Sequence, residues 1–467
     1  MVYRLFCCLL FLCCSYLSTA QITKVCIKTI AVEGHKKTQT KLIKNELSFQ
    51  EGDSLLLKDL MPTIDKNKQF LINTLLFNHV TIKISKWDGR NVHVLISLKE
   101  SWYIFPFPQF ELADRNFNVW WTRHNRNFQR ANVGLWLIWR NLTGYNDLLK
   151  LVVQFGYTRK FELDYTLPPM GRNRKFGFNV NALYSDNKEL AFNTINNKLA
   201  FYSNYDITDR QFQRIRARLR GYYRRTLYET QKLELDFLQL SISDSIASFN
   251  PDFFLDGKLT QKSFNLKYTY ILDKRDIRAY PLKGYYFNAT LYKEGLGIFN
   301  DINQLQLTAN FSHFMPIGKR LSIANTIKGR YSFIRSKTSY YNNRALGYKD
   351  NYVRGFQYYV INGQDYVIIQ TDINIKVFDF TIPMFKKAPI NYLKGIPIKI
   401  HLRYHLDFGY VWDKYYINLN KLGNSDLVGT GIGIDLIFYT YNIIFQFEYT
   451  FNNNGEKGLY LRYKFNF

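Results

Sequence analysis

Cysteine is almost absent from this chain beyond its first residues. Four of the five cysteines lie within residues 1–20, and only Cys26 lies beyond them. A single cysteine cannot build a disulfide framework or a CxxC metal site. We therefore expect no metal site, and we interpret Cys26 as a small strand residue.

Long apolar runs and common catalytic motifs are missing as well. No run of 18 or more apolar residues offers a membrane-spanning helix. The sequence contains no GxSxG, no HExxH, no Walker loop and no glycine-rich dinucleotide turn. His401 and His405 share one strand face, but four strand residues place them about 13 Å apart. We expect neither an enzyme nor a bound cofactor.

Residues 1–20 have the features of a cleaved secretion signal. Arg4 gives a positive start, residues 5–14 form a short apolar run, and residues 18–20 are small. The run is too short to cross a bilayer as a helix, so we expect Gln21 to be the first mature residue. A lipid-anchored cysteine at the end of the run is a less favoured alternative, because bulky residues precede it.

Positive charge and aromatic rings dominate what is present. The chain has 63 lysines and arginines against 37 aspartates and glutamates, a net charge of +26. In a soluble protein this excess suggests nucleic acid or acidic partners, but a secretion signal argues against nucleic acid. We expect the basic residues to line a barrel interior and its loops. The 36 tyrosines and 38 phenylalanines fit aromatic girdles at two membrane interfaces.

Residues 22–100 are expected to form a small α+β domain. The apolar pattern predicts the order strand, helix, helix, strand, strand. Thr38 is the expected cap of the first helix, and Pro62 lies near the expected start of the second. The predicted strands cover residues 25–32, 79–85 and 91–98.

From residue 131 onward, strands with alternating apolar and polar residues follow one another. One such strand has Leu402, Tyr404, Leu406 and Phe408 on one face and Arg403, His405 and Asp407 on the other. Where lipid covers one face, every backbone group must pair internally, and a closed barrel achieves this. We predict a mainly β protein with a transmembrane barrel of about 16 antiparallel strands at residues 131–467, preceded by a connector at 101–130.

Connection lengths predict which connections share a rim of the barrel. If both barrel ends lie in the periplasm, the long connections at residues 243–260, 335–366 and 412–425 all face outward. The short turn at 316–318 then faces inward. The last predicted strand has an apolar face composed of Leu459, Leu461, Tyr463, Phe465 and Phe467.

One predicted strand carries a row of arginines on a single face. These residues are Arg214, Arg216, Arg218 and Arg220. Glu234 and Asp236 share a face of the next strand, and a hairpin centred near Leu227 would set Arg220 opposite Glu234 and Arg218 opposite Asp236. We interpret the set as a structural charge ladder in the lumen. A substrate-binding patch is the alternative.

The segment Val353-Arg354-Gly355-Phe356 lies inside the long polar and aromatic connection at 335–366. This motif, late in a chain of alternating strands with an aromatic end, resembles the outer-membrane assembly family of the BamA/TamA type. Members of that family join periplasmic POTRA domains to a sixteen-stranded barrel. The resemblance implies that the connection folds back into the lumen.

By the same resemblance, Arg354 is expected to meet acidic groups on the barrel wall, since a buried arginine needs such a partner. Asp407 stands in the Asp-x-Gly strand motif of the family and is the expected partner. Asn374 and Lys376 stand where the family often has glutamate and arginine. Asp372 is the candidate substitute for the missing glutamate.

The resemblance extends to two other stretches. Residues 22–100 resemble a single POTRA domain, with residues 70–80 as its leucine-rich helix end and exit. Leu75 stands where the family often has glycine. Another small α+β domain is the alternative. Residues 273–284 resemble an inward hairpin that leads into a strand, with a role in register and turn geometry.

The function implied is insertion or translocation of polypeptides at the bacterial outer membrane, with the N-terminal domain in the periplasm. The implied partners are outer-membrane lipid, unfolded or extended polypeptide clients and accessory lipoproteins. A single POTRA-like domain, where the central assembly factor usually has several, favours a specialised or accessory role. Two alternatives remain open, a passive anion-preferring pore and a structural membrane protein.

Overall fold

The computed structural model describes residues 24–112, 120–121, 125–169, 175–202, 210–348, 351–382, 396–438 and 443–465. The predicted secretion signal and Phe467 lie outside these residues. The chain divides into two compact units, Met1–Glu100 and Ser101–Phe467. In the described ranges no helix is long and apolar enough to cross a membrane.

The first unit is a mixed sheet with helices. Its described elements are β1 (Lys24–Glu33), α1 (Thr40–Asn45), β2 (Ser54–Leu56), α2 (Leu57–Asn73), β3 (Phe77–Trp87) and β4 (Asn91–Glu100). The strand order is β2-β1-β4-β3, with β1 and β4 parallel and the other neighbours antiparallel. Ile64 and Leu71 on one face of α2 are buried, as the helical periodicity predicts. The unit therefore has its own apolar core.

Three details of this unit differ from the sequence prediction. The N-cap position of α1 is occupied by Gln39, without a side-chain capping bond, rather than by Thr38, whose backbone amide donates to Glu100 at 2.6 Å. Helix α2 begins five residues before Pro62, which lies inside the helix and removes one backbone hydrogen bond. Strand β2 is absent from the predicted order, because its three residues are too few to show an alternating pattern.

Leu75 follows α2 in a left-handed backbone conformation, with a φ of 61°. A side chain in this region crowds the following carbonyl oxygen, whereas glycine avoids the clash. The position where the resembled family often has glycine is therefore a strained position in this chain.

The second unit is dominated by one antiparallel sheet. Its elements, in chain order, are β5 (Ile104–Leu112), β6 (Ala131–Arg140), β7 (Leu148–Gly156), β8 (Thr158–Leu167), β9 (Phe176–Asn187), β10 (Leu190–Ile195), β11 (Lys198–Tyr202), β12 (Phe212–Arg224), β13 (Glu229–Ile242), α3 (Asp244–Phe249), β14 (Thr260–Asp273), β15 (Gly284–Glu294), β16 (Gln304–Ile317), β17 (Leu321–Ser332), β18 (Arg344–Leu346), β19 (Ile361–Asn362), β20 (Asp365–Ile382), β21 (Ile396–Trp412), β22 (Leu427–Phe438), β23 (Ile443–Asn452) and β24 (Lys457–Phe465). Within the described residues, 16 strands pair in chain order from β5 to β24, while β10–β11 and β18–β19 form separate two-stranded sheets. The predicted fold class is confirmed.

The large sheet begins earlier than the sequence predicts. β5 is its first strand and pairs with β6 along its whole length. The stretch predicted as a connector, residues 101–130, therefore contains a barrel strand, and residue 131 is not the start of the sheet. β5 was not predicted because Pro106 and Pro108 argue against a strand. Proline is compatible with a strand mainly at a sheet edge, which is where β5 lies.

Side-chain exposure alternates along the strands of this sheet. In β21, Leu402, Tyr404 and Leu406 are 43–47% exposed, whereas Arg403, His405 and Asp407 are at most 3% exposed. In β12, Ile215 and Leu219 lie on the exposed face. An apolar outer face suits contact with lipid, and the polar face lines the lumen.

The strand order fixes two rims. Neighbouring strands are antiparallel and follow chain order, so the start of β5 and the end of β24 lie at the same rim. We call this rim the terminal rim. The long connections β9–β12, β13–β14, β17–β20 and β21–β22 lie at the opposite rim, here the loop rim. The turn at 318–320 between β16 and β17 lies at the terminal rim. The three long connections singled out in the sequence thus share one rim, as predicted.

These four connections pack together into what we call the loop cap. Asn197, between β10 and β11, accepts the amides of Lys421 and Leu422 at 2.9 Å and donates to the carbonyl of Val360 at 3.3 Å. The buried apolar residues of the cap include Leu190, Ile246, Phe253, Phe254 and Tyr340. The cap therefore has both an apolar core and polar links between its connections.

Candidate functional site

The connection between β17 and β20 folds back against the inner wall of the sheet. Val353 and Phe356 are 1% and 2% exposed. They belong to a buried apolar cluster that includes Ile368 of β20, Val411 of β21 and Leu427 of β22. Apolar packing therefore holds the motif segment on the wall formed by these three strands.

Arg354 makes several contacts to Asp407. Its Nε lies 3.0 and 2.9 Å from the two carboxylate oxygens, its Nη2 contacts Oδ1, and its backbone amide donates to Oδ2 at 3.0 Å. Nη1 donates to Asp372 Oδ1 at 2.5 Å. Arg354 is 3% exposed and Asp407 0%, so the pair is desolvated and depends on this geometry. Both acidic residues proposed from the sequence are brought to Arg354.

Glycines allow the loop backbone to lie directly on the wall. Gly355 has a φ of 95°, and a Cβ there would lie 2.9 Å from the carbonyl oxygen of Phe451. A Cβ on Gly429 of β22 would overlap the carbonyl oxygen of Arg354. The side-chain amide of Asn452 donates to the Gly355 carbonyl at 2.8 Å. Side chains larger than hydrogen at these two glycines would push the loop away.

Further charged residues continue the site toward the last strand. Arg403 Nη2 lies 3.1 Å from Asp435 Oδ1 and 3.1 Å from Glu448 Oε2, and its Nη1 lies 3.8 Å from Asp372. Arg462 of β24 lies 2.6 Å from Glu448 Oε2. We call the whole set the wall cluster: Arg354, Asp372, Arg403, Asp407, Asp435, Glu448 and Arg462. It joins the loop to every strand from β20 to β24.

Four members of the wall cluster were not predicted as site residues: Arg403, Asp435, Glu448 and Arg462. Their signal in the sequence is alternation, because each is a charged residue on the polar face of a strand. Alternation identifies lumen-facing residues but does not say which of them meet.

Asn374 and Lys376, the two departures from the family pattern, do not contact Arg354. Asn374 Oδ1 lies 3.4 Å from the hydroxyl of Tyr280, and Lys376 Nζ lies 3.6 Å from Asp379. Asp372, two residues before Asn374 on the same strand, supplies the carboxylate instead.

The arginine row pairs with its acidic neighbours in the register expected from the sequence. Arg220 lies opposite Glu234 and Arg218 opposite Asp236. Arg220 Nε donates to Glu234 at 2.6 Å, and Arg218 Nε lies 3.3 Å from Asp236 and 3.2 Å from Glu234. Arg216 donates to Asn181 at 3.0 Å and also lies 3.7 Å from Glu162 and 4.0 Å from Asp236. Arg214 donates to the hydroxyl of Tyr341 at 2.8 Å. Because each of the four arginines already contacts a group of the protein, the structure favours a structural ladder over a substrate-binding patch.

The remaining residues proposed from the sequence are placed as follows. Tyr463 is 64% exposed on the apolar face of β24. Phe465 is the last residue of β24, and Phe467 lies beyond the described residues. His401 and His405 lie on the polar face of β21, and within the described ranges no group of three or more potential metal ligands is found.

A family model described as the Omp85 superfamily domain matches residues 141–467. The chain belongs to the Omp85 superfamily. Its resemblance to members of the BamA/TamA type is thereby confirmed. Membership places this Omp85 protein among bacterial outer-membrane barrels that act in insertion or translocation of proteins.

Solved structures support the fold of this Omp85 protein. BamA from Haemophilus ducreyi lacking POTRA domains 1–3 matches with a TM-score of 0.53 at 14% identity, covering 94% of this chain and 84% of that one. CdiB from Escherichia coli matches with a TM-score of 0.55 at 14% identity, covering 94% and 76%. A search of curated proteins finds no match.

Proposed function

We propose that this Omp85 protein inserts or translocates a restricted set of polypeptide clients at the outer membrane. The observation that carries the proposal is the wall cluster, which ties one loop to the strands that lead to the end of the sheet. Such a cluster can hold or release the end strands without any reaction at a catalytic residue. We therefore propose no enzymatic activity and no cofactor.

The first unit is proposed to act as a POTRA-like domain in the periplasm. The sheet order puts β3, an 11-residue strand, at one edge and the three-residue β2 at the other. An extended polypeptide can add to an exposed edge through backbone hydrogen bonds. The length of β3 makes it the better edge for a client segment.

The proposed client site in the barrel is the seam between β5 and β24, the end strands of the sheet. The amide of Arg140 donates to the carbonyl of Tyr103 at 2.7 Å, so odd-numbered residues of β5 point their backbone groups toward β6. Pro106 and Pro108 then face the seam, where each lacks an amide donor. Opening between these strands would break fewer hydrogen bonds than opening elsewhere in the sheet.

The passive-pore alternative is less well supported. The basic lumen favours anions, but the arginines of the ladder are bonded to protein groups. The loop cap packs four connections together at one rim. A diffusion pore would be expected to leave this rim open.

Depletion of the protein followed by quantitative proteomics of the outer membrane tests the proposal. Loss of a defined set of barrels or surface proteins, with periplasmic accumulation, is expected. Wild type and Arg225→Ala, a change at a 70% exposed arginine, should restore them, whereas Arg354→Ala should not. An unchanged proteome would reject the proposal, and anion-selective conductance in planar bilayers would then support the pore.

A further inference from the structure

The terminal-rim connection between β14 and β15 is a tightly bonded hairpin. The amide of Lys274 donates to Tyr285 at 2.8 Å, and the amide of Asp276 donates to Lys283 at 3.0 Å. The Asp276 carboxylate in turn accepts the amides of Leu282 and Lys283 at 3.1 and 3.2 Å. These bonds fix the direction in which residues 277–281 project.

Tyr280, in this hairpin, reaches strands far round the sheet. It is 9% exposed, and its hydroxyl donates to Asp435 Oδ2 at 3.0 Å. Its ring meets that of His401 with centroids 5.1 Å apart and packs with Ile437 and Ile444. Asp435 lies on β22, five strands from β15 in the sheet order. The contact therefore spans the lumen.

Asp435 connects Tyr280 to the Arg354 site. Its Oδ2 accepts from Tyr280, while its Oδ1 faces Arg403 at 3.1 Å. Arg403 also approaches Asp372, which accepts from Arg354. The groups form a continuous polar chain from a terminal-rim hairpin to the loop that enters from the opposite rim.

Arg403 is shared among three carboxylates, those of Asp372, Asp435 and Glu448. Without that hydroxyl, both oxygens of Asp435 become available to the guanidinium. Bidentate pairing is the stronger geometry for arginine and a carboxylate. Arg403 would then move toward Asp435, and Asp372 would lose the second cation that holds its carboxylate where Arg354 meets it.

We propose that Tyr280 is a positioning residue that couples the terminal-rim hairpin to the Arg354 loop through Asp435 and Arg403. Resting on the proposed function, the hairpin is then a sensor, since a client segment that displaces it from the lumen loosens the Arg354 loop. The coupling is intramolecular, so it can be measured in the purified protein without a client.

Hydrogen exchange of the full chain in lipid nanodiscs tests the coupling. Tyr280→Phe should accelerate exchange of residues 351–360 by about three- to tenfold, the range expected for loss of one hydrogen bond. Exchange in β12 and β13 should not change. Tyr449→Phe, a lipid-face tyrosine that is 36% exposed, is the matched control and should resemble wild type.

A second variant separates coupling from general loosening. Arg403→Lys alone should accelerate the same peptide, and adding Tyr280→Phe should have little further effect, because both changes act through one contact. Normal exchange at 351–360 in Tyr280→Phe would overturn the coupling. Equal acceleration throughout the barrel would also overturn it. If the coupling is present but the outer-membrane proteome is unaffected by depletion, only the client role fails.

Discussion

Asp407 accepts hydrogen bonds from both the backbone amide and the guanidinium of Arg354. One carboxylate thereby fixes the path of the loop backbone and the direction of its charged side chain. A lysine could supply charge but not the planar fork that reaches two oxygens.

We predict that Asp407→Ala destabilises the protein by about 3–5 kcal/mol, because it leaves Arg354 buried with only part of its compensation. The double substitution Arg354→Met with Asp407→Leu should be less destabilising than Asp407→Ala alone. Urea unfolding in lipid vesicles measures both. A double variant at least as unstable as Asp407→Ala would contradict a charge-compensation role.

Gly429→Ala should displace the Arg354 loop, because the added Cβ overlaps the Arg354 carbonyl oxygen. We expect faster proteolysis of residues 351–360 and a loss of about 1–3 kcal/mol, the usual range for overpacking. Gly221→Ala is the control, since its Cβ would meet one atom at 4.0 Å. Equal protease resistance of the two variants would show that the loop does not need the close approach.

Leu75→Gly should stabilise the first unit by about 1 kcal/mol, because it removes a left-handed side chain. Slower hydrogen exchange in residues 71–77 of the full-length protein is the expected readout. Leu76→Gly, at a buried neighbouring position, should accelerate exchange there. Faster exchange in Leu75→Gly would mean that side-chain packing outweighs backbone strain.

The first unit should lose stability in acid through Glu100. Burial acts to raise the pKa of this carboxyl, but hydrogen bonds from Thr38, Lys37 and Lys36 outweigh it, and the pKa lies below the ordinary value of 4.5. A depressed pKa stabilises the fold above the ordinary value, and the contribution disappears as pH falls through the folded-state pKa. Hydrogen exchange of residues 34–40, corrected for intrinsic rates, should accelerate as the pH falls through the folded-state pKa of Glu100.

Glu100→Gln supplies the comparison for the acid prediction. The amide side chain cannot titrate, so this variant should be less stable at neutral pH and change less with acidification. If exchange in Glu100→Gln accelerates in acid as much as in the wild type, a group other than Glu100 causes the loss of stability.

Pro106→Ala with Pro108→Ala should strengthen the seam, because it restores two backbone donors on the free side of β5. Each added hydrogen bond is worth about 1 kcal/mol. We expect a higher unfolding temperature in heat-modifiability gels and a smaller amount of client protein assembled in the outer membrane. Pro316→Ala, the same change in β16 away from the seam, should do neither. An unchanged unfolding temperature in the double variant would mean that these positions do not pair across the seam.

Much of the barrel could be predicted because strand alternation is a local signal. The opposition of Arg220 and Glu234 followed from a short hairpin, where chain order fixes the register. β5 could not be recognised, because its prolines are those of an edge strand and edges are known only once the sheet is assembled. The contact of Tyr280 with Asp435 depends on the curvature of the sheet, which brings together residues 155 positions apart.

The polar links of the loop cap have an evolutionary consequence. Asn197 bonds to backbone groups of two other connections, so a length change in one of them would disturb its neighbours. Surface loops generally vary in sequence and tolerate insertions and deletions. In this protein we expect the cap to vary as a unit, with substitutions in one connection matched by compensating substitutions in the others.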